Sequence, residues 1–365
     1  MYNWQYKDWP NFSFTLDNLQ SIAISFAEEL GLVNGLFTAL NDDLKQETVV
    51  EILISEAIKS SEIEGEYMSR IDMMSSIKRN LGLRSDIKVT DKRVAGMARL
   101  MTEVRESYLN DLSLDMILNW HKILMESFLT INAGQWREGS EPMQVVSGAY
   151  GREVVHYEAP PSEIVSQEMQ TFIHWFSNDN LSHLDKISKA IVKSAIAHLY
   201  FESIHPFEDG NGRIGRALAE YTLSHTLQSP VLLSISKVIE KDKNQYYDAL
   251  KAAQSTLDIT DWILYFGKVI LTAQIEAKQL VEFTVKKVKY FDSFKQLLNE
   301  RQQKVINRMF DAGVEGFQGG MTAKKYMAIA KTSKASATRD LQHLNEIGAL
   351  QVLGAGRSVR YELVF

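Results

Sequence analysis

The 365-residue sequence contains no cysteine, which excludes disulfides, thiolate metal sites and a thiol nucleophile. It also lacks a long uninterrupted apolar run. The longest, Trp262 to Ala273, is broken by Lys268, so no segment reads as a membrane-spanning helix. The start, Met1-Tyr2-Asn3-Trp4-Gln5-Tyr6, has neither the basic opening nor the apolar stretch of a signal peptide. A cytoplasmic location is the expectation. Histidines and carboxylates are nowhere arranged in H-E-x-x-H spacing, which argues against a zinc site, and neither internal repeats nor low-complexity tracts interrupt the chain.

What is present is an ordinary soluble composition, 45% hydrophobic and 24% charged, in a chain long enough for two or three domains. The net charge of -6 is uneven. Residues 301–365 carry ten Lys and Arg against five Asp and Glu, a net of +5, which leaves -11 for residues 1–300. Two parts with different partners are implied. Helical periodicity dominates: Ile187, Ile191, Ala195 and Leu199 recur at four-residue spacing, and similar patterns run through residues 49–60, 113–129, 164–176, 214–227 and 246–253. An all-α fold is expected. The exception is Met143 to Tyr157, where Val145, Val146, Val154 and Val155 flank Ser147-Gly148-Ala149-Tyr150-Gly151, a hairpin pattern closed by Pro160-Pro161.

The segment His205-Pro206-Phe207-Glu208-Asp209-Gly210-Asn211-Gly212-Arg213-Ile214-Gly215-Arg216 follows one amphipathic helix and opens another. Gly210 and Gly212 allow a tight turn and close approach of a ligand, and a helix N-terminus offers unpaired N–H groups and a positive dipole end. Such a loop suits phosphate. Arg213 and Arg216 sit three apart, so both guanidinium groups can reach further phosphates of a polyphosphate chain. Asp209 at the mouth can hold magnesium. His205, with an unperturbed pKa of about 6.5, can take a proton from an attacking hydroxyl. Phe207 is expected to anchor the loop in the core. Each residue alone fits a solvated turn, but the combination argues for a nucleotide-directed enzyme.

This stretch resembles the signature of the Fic family, H-x-F-x-[DE]-G-N-G-R-x-x-R, at every specified position. The resemblance implies transfer of AMP from ATP to a protein Ser, Thr or Tyr hydroxyl, with pyrophosphate leaving. It implies that His205 is the base, Asp209 the magnesium ligand, and Gly210, Asn211 and Gly212 the anion hole, with Arg213 and Arg216 on the outer phosphates and Ile214 and Gly215 within the nucleotide-binding segment. Gly134-Gln135-Trp136-Arg137 and the 143–157 hairpin are similar to the family's helical domain with its flap, which in relatives pairs with the target by strand addition. Asn244, Tyr246 and Tyr247 lie where relatives place part of the nucleoside pocket. From the residues alone, the tyrosines fit helix packing equally well.

Ser60-Ser61-Glu62-Ile63-Glu64-Gly65 ends the helix that begins near Val49. A carboxylate there opposes the helix dipole unless a cation meets it, whereas a plain end capped by Gly65 would leave Glu64 in water. The segment resembles the inhibitory helix of many Fic proteins, [ST]-x-x-x-E-[GN], matched by Ser60, Glu64 and Gly65. The resemblance implies that Glu64 pairs with Arg216 and blocks productive ATP binding in cis. Trp4 and Trp9-Pro10, ahead of a helical run, look like the N-terminal extension of such proteins. The remaining histidines, His121, His156, His174, His183, His198, His225 and His343, read as surface or packing residues, with His198 a core histidine.

Towards the C-terminus, helical patterns at residues 299–310, 322–330 and 333–347 precede Gln351-Val352-Leu353, Gly354-Ala355-Gly356-Arg357 and Ser358-Val359-Arg360-Tyr361-Glu362-Leu363. Three helices and a hairpin outline a winged helix. Lys331, Lys334, Arg339, Arg357 and Arg360 would give it a basic face, for DNA or for dimerisation or target docking. The expected division is an N-terminal helical region at 1–110 with the inhibitory helix, a catalytic domain at 111–275, a connecting helix at 276–298 and the winged helix at 299–365. The rival readings are another transfer or AMP removal on the same scaffold, a DNA-binding regulator whose loop senses a nucleotide, and a toxin held by another chain.

Overall fold

The computed structural model describes residues 1–85, 87–147, 154–178, 180–314 and 316–364, with Ser147, Val154 and Arg357 described by their backbone alone. In chain order the main elements are α1 (Leu19–Thr38), α2 (Asp42–Ile63), α3 (Arg70–Asn80), α4 (Lys92–Glu106), α5 (Leu114–Met125), β1 (Gln144–Ser147), β2 (Val154–Glu158), α6 (Val165–Ser177), α7 (Lys186–Ile204), α8 (Asn211–Leu227), α9 (Ile235–Lys241) and α10 (Lys243–Ala253). They continue with α11 (Thr260–Phe294), α12 (Glu300–Phe310), α13 (Ala323–Ala330), α14 (Lys334–Glu346), β3 (Leu350–Leu353) and β4 (Arg360–Leu363). The chain is predominantly helical, as its periodicity predicts.

Helix ends follow local chemistry. The Ser113 hydroxyl accepts from the Met116 N–H at the start of α5, and Asp185 accepts from the N–H groups of Ile187 and Ser188 at the start of α7. Helix α2 starts ahead of the expected Val49, because Asp42 and Asp43 put negative charge into its first turn. Helix α11 is 35 residues long and runs unbroken past residue 275. Strands β1 and β2 pair antiparallel, from Gln144 opposite Glu158 to Ser147 opposite Val154, with an irregularity between Val145 and Val146. Residues 148–151 of the expected turn lie outside the described residues.

The chain divides into two compact units, residues 1–32 with 49–277 and residues 33–48 with 278–365. The first unit holds two apolar cores. One gathers Met97, Trp120, Phe172 and Tyr221, and the other Phe26, Leu223, Trp262 and Phe266. Helix α7 serves both, turning Ala197, Tyr200 and Phe201 to one and Ile191, Ala195 and Leu199 to the other. Each such buried aromatic or aliphatic side chain contributes roughly 1.5–3 kcal/mol, so the position of α7, and of the loop that follows it, is firmly determined.

In the second unit α12, α13, α14, β3 and β4 surround Val305, Phe310, Tyr326 and Leu341. The Tyr326 hydroxyl donates to Asp340 at 2.9 Å, and Arg301 Nε donates to the same carboxylate at 3.0 Å, which neutralises this buried acid of α14. Lys334 and Arg339 are exposed on that helix. The side chain of Arg357 lies outside the described residues, and Arg360 pairs with Glu362 at 3.3 Å. Among the described residues no helix is long and apolar enough to cross a membrane.

Candidate active site

Helix α7 ends at His205, whose backbone turns into the left-handed region at φ 49°, and α8 begins after Gly210 at φ 83°. Gly210 takes that conformation without cost, whereas His205 must be held in it. The hold comes from Arg137. Its Nε donates to the His205 carbonyl at 2.8 Å, Nη2 to the Pro160 carbonyl at 2.5 Å and Nη1 to the Ser162 hydroxyl at 2.8 Å, while its backbone N–H donates to the Pro206 carbonyl at 2.9 Å. Arg137 is buried, so these bonds form in a low-dielectric setting where they are strongest.

Phe207 is fully buried, stacked at 3.7 Å on the His121 ring and at 5.1 Å on Trp136. His121 does more than pack. Its Nδ1 accepts from the Gly134 N–H at 2.9 Å, so the ring proton sits on Nε2, which donates to the Asp209 carbonyl at 3.2 Å. Burial lowers the His121 pKa to about 4, which keeps this neutral tautomer at neutral pH. Asn211 spends its side chain on the loop itself, accepting from the Phe207 N–H at 2.9 Å and donating to the Phe207 carbonyl at 2.8 Å. Its backbone N–H, with those of Gly212 and Arg213, belongs to the first turn of α8 and has no intrahelical partner. The Ile214 N–H donates to the Gly210 carbonyl, and its side chain is core. A Cβ on Gly215 would meet Glu202 Oε1 at 2.2 Å.

Arg213 and Arg216 are both buried, at 1% exposure, and each meets a carboxylate. Arg216 Nη2 lies 2.8 Å from Glu64 Oε1, Nη2 donates to the Ser60 carbonyl at 2.8 Å and Nε donates to the Ser60 hydroxyl at 3.0 Å. The Glu64 carboxylate also overlies Gly212, where a Cβ would fall 2.2 Å from Oε1. It therefore stands against the N-terminus of α8. Although burial alone would lower the Arg216 pKa, the Glu64 charge holds it well above its ordinary value. Arg213 Nη1 donates to Glu66 Oε1 at 2.8 Å, and its Nη2 is 3.4 Å from Asp209 Oδ1. Asp209 is 52% exposed, and its contacts to Arg213 and to the Gly210 N–H both fall on Oδ1. A half-exposed single carboxylate beside a helix N-terminus and a buried arginine is of the kind that magnesium takes, since that ion draws most of its ligands from phosphate and water.

Burial, aided by the Arg137 charge, lowers the His205 pKa to about 4, so the imidazole is neutral and able to accept a proton at neutral pH. Its Nδ1 lies 3.8 Å from Glu202 Oε2. Glu202 is buried and its pKa is raised to about 8 by desolvation, against the pull of Arg216. Of the nucleoside candidates, Asn244 and Tyr247 are exposed, whereas Tyr246 is buried with its hydroxyl 2.9 Å from His198 Nε2. His198 stacks on Trp262 and Phe266 as a core histidine. The base of the hairpin is braced by the N-terminal segment and by α7: Trp4 Nε1 donates to the Glu158 carbonyl, and the Tyr157 hydroxyl donates to the Ser203 carbonyl at 2.7 Å.

Sequence reasoning missed Glu66, Glu202 and the roles of His121 and Arg137. Only Arg137 carried a signal, within the Gly134 to Arg137 segment.

Residues 111–223 match the Fic/DOC family, and residues 2–83 match a domain of unknown function, DUF4172. The chain is 26% identical over 193 residues to protein adenylyltransferase Fic of Drosophila virilis, covering 52% of this chain and 36% of that protein. It is 34% identical over 98 residues to a probable protein adenylyltransferase of Aquifex aeolicus, covering 27% of each. The chain thus spans about a third or less of the length of these curated relatives. The crystal structure of a Fic family protein from Desulfovibrio desulfuricans G20 superposes with a TM-score of 0.54 at 21% identity, covering 97% of this chain and 98% of that one. The Fic/DOC match takes in the loop and the helices α5 to α8 that hold it, and the fold agrees with it, so residues 111–223 form a Fic/DOC family domain.

Proposed function

We propose that this chain transfers AMP from ATP to a hydroxyl of a protein and that Glu64 holds the reaction off in cis. The observation that carries the reading is the arrangement at the start of α8: a neutral His205 at one end of the loop, and two buried arginines with a helix N-terminus at the other. The N–H groups of the first turn and the guanidinium groups of Arg213 and Arg216 would receive the phosphates. Asp209 would hold magnesium, which when bound offsets phosphate charge. His205 takes the proton of the incoming hydroxyl as its oxygen bonds the α-phosphorus. The bond from that phosphorus to the bridging oxygen breaks, and pyrophosphate leaves with the electron pair.

The flap β1–β2 would seat the target segment by strand addition, and residues 299–365 would serve as a winged-helix module whose helix α14, with Lys334 and Arg339 exposed, contacts DNA or a protein partner. Glu64 supports the inhibitory reading, because its carboxylate meets Arg216 and covers Gly212, two places a phosphate would need. The test is incubation of wild type, Glu64→Gly and His205→Ala with ATP and magnesium, followed by intact mass. An AMP increment in the Glu64 variant alone is expected. Equal incorporation by wild type and Glu64→Gly would overturn the inhibitory role, and no incorporation by any protein, with a supplied target mixture present, would overturn the transfer.

A further inference from the structure

Glu64 is one of two carboxylates in the phosphate cradle. After α2 the chain turns through Gly65 at φ 81°, with the Glu64 N–H donating to the Ser61 carbonyl at 3.1 Å and the Glu66 N–H to the same carbonyl at 2.9 Å. Lys243 Nζ donates to the Glu62 carbonyl at 2.5 Å and fixes the turn from the side of α10. This geometry sends Glu64 to Arg216 and Glu66 to Arg213, each at 2.8 Å. The Glu66 side chain is 19% exposed and its other oxygen, Oε2, is buried. Arg213 has no closer acidic partner among the described residues, since Asp209 lies at 3.4 Å.

Two arginines one helical turn apart make two anion positions, and two carboxylates flanking one glycine occupy them. A buried guanidinium without a counter-charge is strongly unfavourable, so each position needs an anion in the resting protein. We infer that Glu66 is a second phosphate surrogate, set on Arg213 as Glu64 is on Arg216, so that a ligand is admitted by the number of anionic groups with which it can displace both. The inference rests on the nucleotide reading of the loop. Glu66 is thereby a specificity-determining residue: a single-phosphate ligand displaces at most one carboxylate, whereas a triphosphate replaces both.

The experiment is calorimetric titration with magnesium-ATP and, separately, with AMP. It uses His205→Ala protein, to prevent turnover, and adds Glu64→Gly, Glu66→Gln or both. Glu66→Gln keeps the shape and removes the charge, and ATP affinity is expected to rise about tenfold, the scale of one charge-assisted hydrogen bond, with AMP affinity little changed. The double variant binds ATP more tightly than either single one. Glu66→Asp, which keeps the charge and draws it back from Arg213, falls between and serves if the glutamine protein melts early. Unchanged or weaker ATP binding by both Glu66 variants, or equal gains for AMP and ATP, overturns the inference while tight ATP binding by Glu64→Gly leaves the nucleotide reading standing. If Glu64→Gly also fails to bind ATP, the nucleotide reading falls, and the inference with it.

Discussion

The Nε of Arg137 donates to the carbonyl oxygen of His205 at 2.8 Å, across 68 positions of sequence. The contact holds the left-handed backbone that aims the imidazole, and the same guanidinium also ties down Pro160 and Ser162. Lysine cannot copy this fork. In a Glu64→Gly background, Arg137→Lys should lower the rate of AMP transfer by about tenfold or more, since misplacing a reacting group by about 1 Å costs that much or more. The dissociation constant for ATP should stay nearly unchanged, because the hydrogen bonds of the Arg137 side chain go to His205, Pro160, Ser162 and Ile204 and not to Arg213 or Arg216. Single-turnover rates read beside calorimetric ATP binding separate the two, and an unaltered rate would count against the positioning role.

Gly212 is where the proposed inhibited and nucleotide-bound forms of the site would compete for the same space. With Glu64 present, a Cβ there would lie 2.2 Å from Oε1 and 3.1 Å from Arg216 Nη1. Gly212→Ala should therefore expel the Glu64 carboxylate, and it should equally obstruct phosphate at the start of α8. Loss of ATP binding by about tenfold or more is expected in the Glu64→Gly background, on the scale of a steric clash costing 1–3 kcal/mol. Retained affinity would show that phosphate does not approach this turn.

In the proposed reaction, protonation of His205 would set the acid limb. With its pKa lowered to about 4 by burial and by Arg137, the imidazole is neutral from pH 6 to 8. In Glu64→Gly, kcat/KM should be flat over that range and fall only as the pH drops towards 4, since this ratio reports the free enzyme. The Arg137→Lys variant keeps a positive charge but moves it, so its limb should shift upward by less than one unit. A half-maximal rate near pH 6.5 in the parent would mean that His205 is solvated in the active form.

The loop itself was legible because its parts are contiguous. His205, Asp209, the glycines and both arginines fall within twelve residues, and a helix N-terminus followed by regular spacing fixes their directions. Glu64 was found only through resemblance, because its partner is more than a hundred residues away and nothing local to α2 points to Arg216. Glu66 follows Glu64 across a single glycine yet gave no signal, since an acidic residue after a helix end is ordinarily solvated. His121 read as packing, which is true of its face on Phe207 and incomplete for its two nitrogens. Asn211 shows the converse. Its motif position suggested a ligand contact, whereas its amide closes the loop on Phe207, which only the folded turn reveals.

Glu202 gives a test that needs no substrate. It is buried between α7 and α8, and desolvation raises its pKa from 4.5 to about 8, with Glu64 adding to the rise and Arg216 opposing it. The folded protein therefore favours the protonated acid. Its stabilising contribution is complete below the unfolded value near 4.5 and is lost as the pH rises towards 8, because the unfolded chain gives up the proton first. Glu202→Gln removes the titration and keeps the shape. Wild type and variant should melt together at pH 4.5 to 5, and the variant should become progressively more stable up to pH 8, by on the order of a few kcal/mol at most. Thermal denaturation at half-unit pH steps measures the difference. A gap that does not change between pH 5 and 8 would mean that Glu202 ionises as an ordinary carboxylate, with the Arg216 guanidinium outweighing burial.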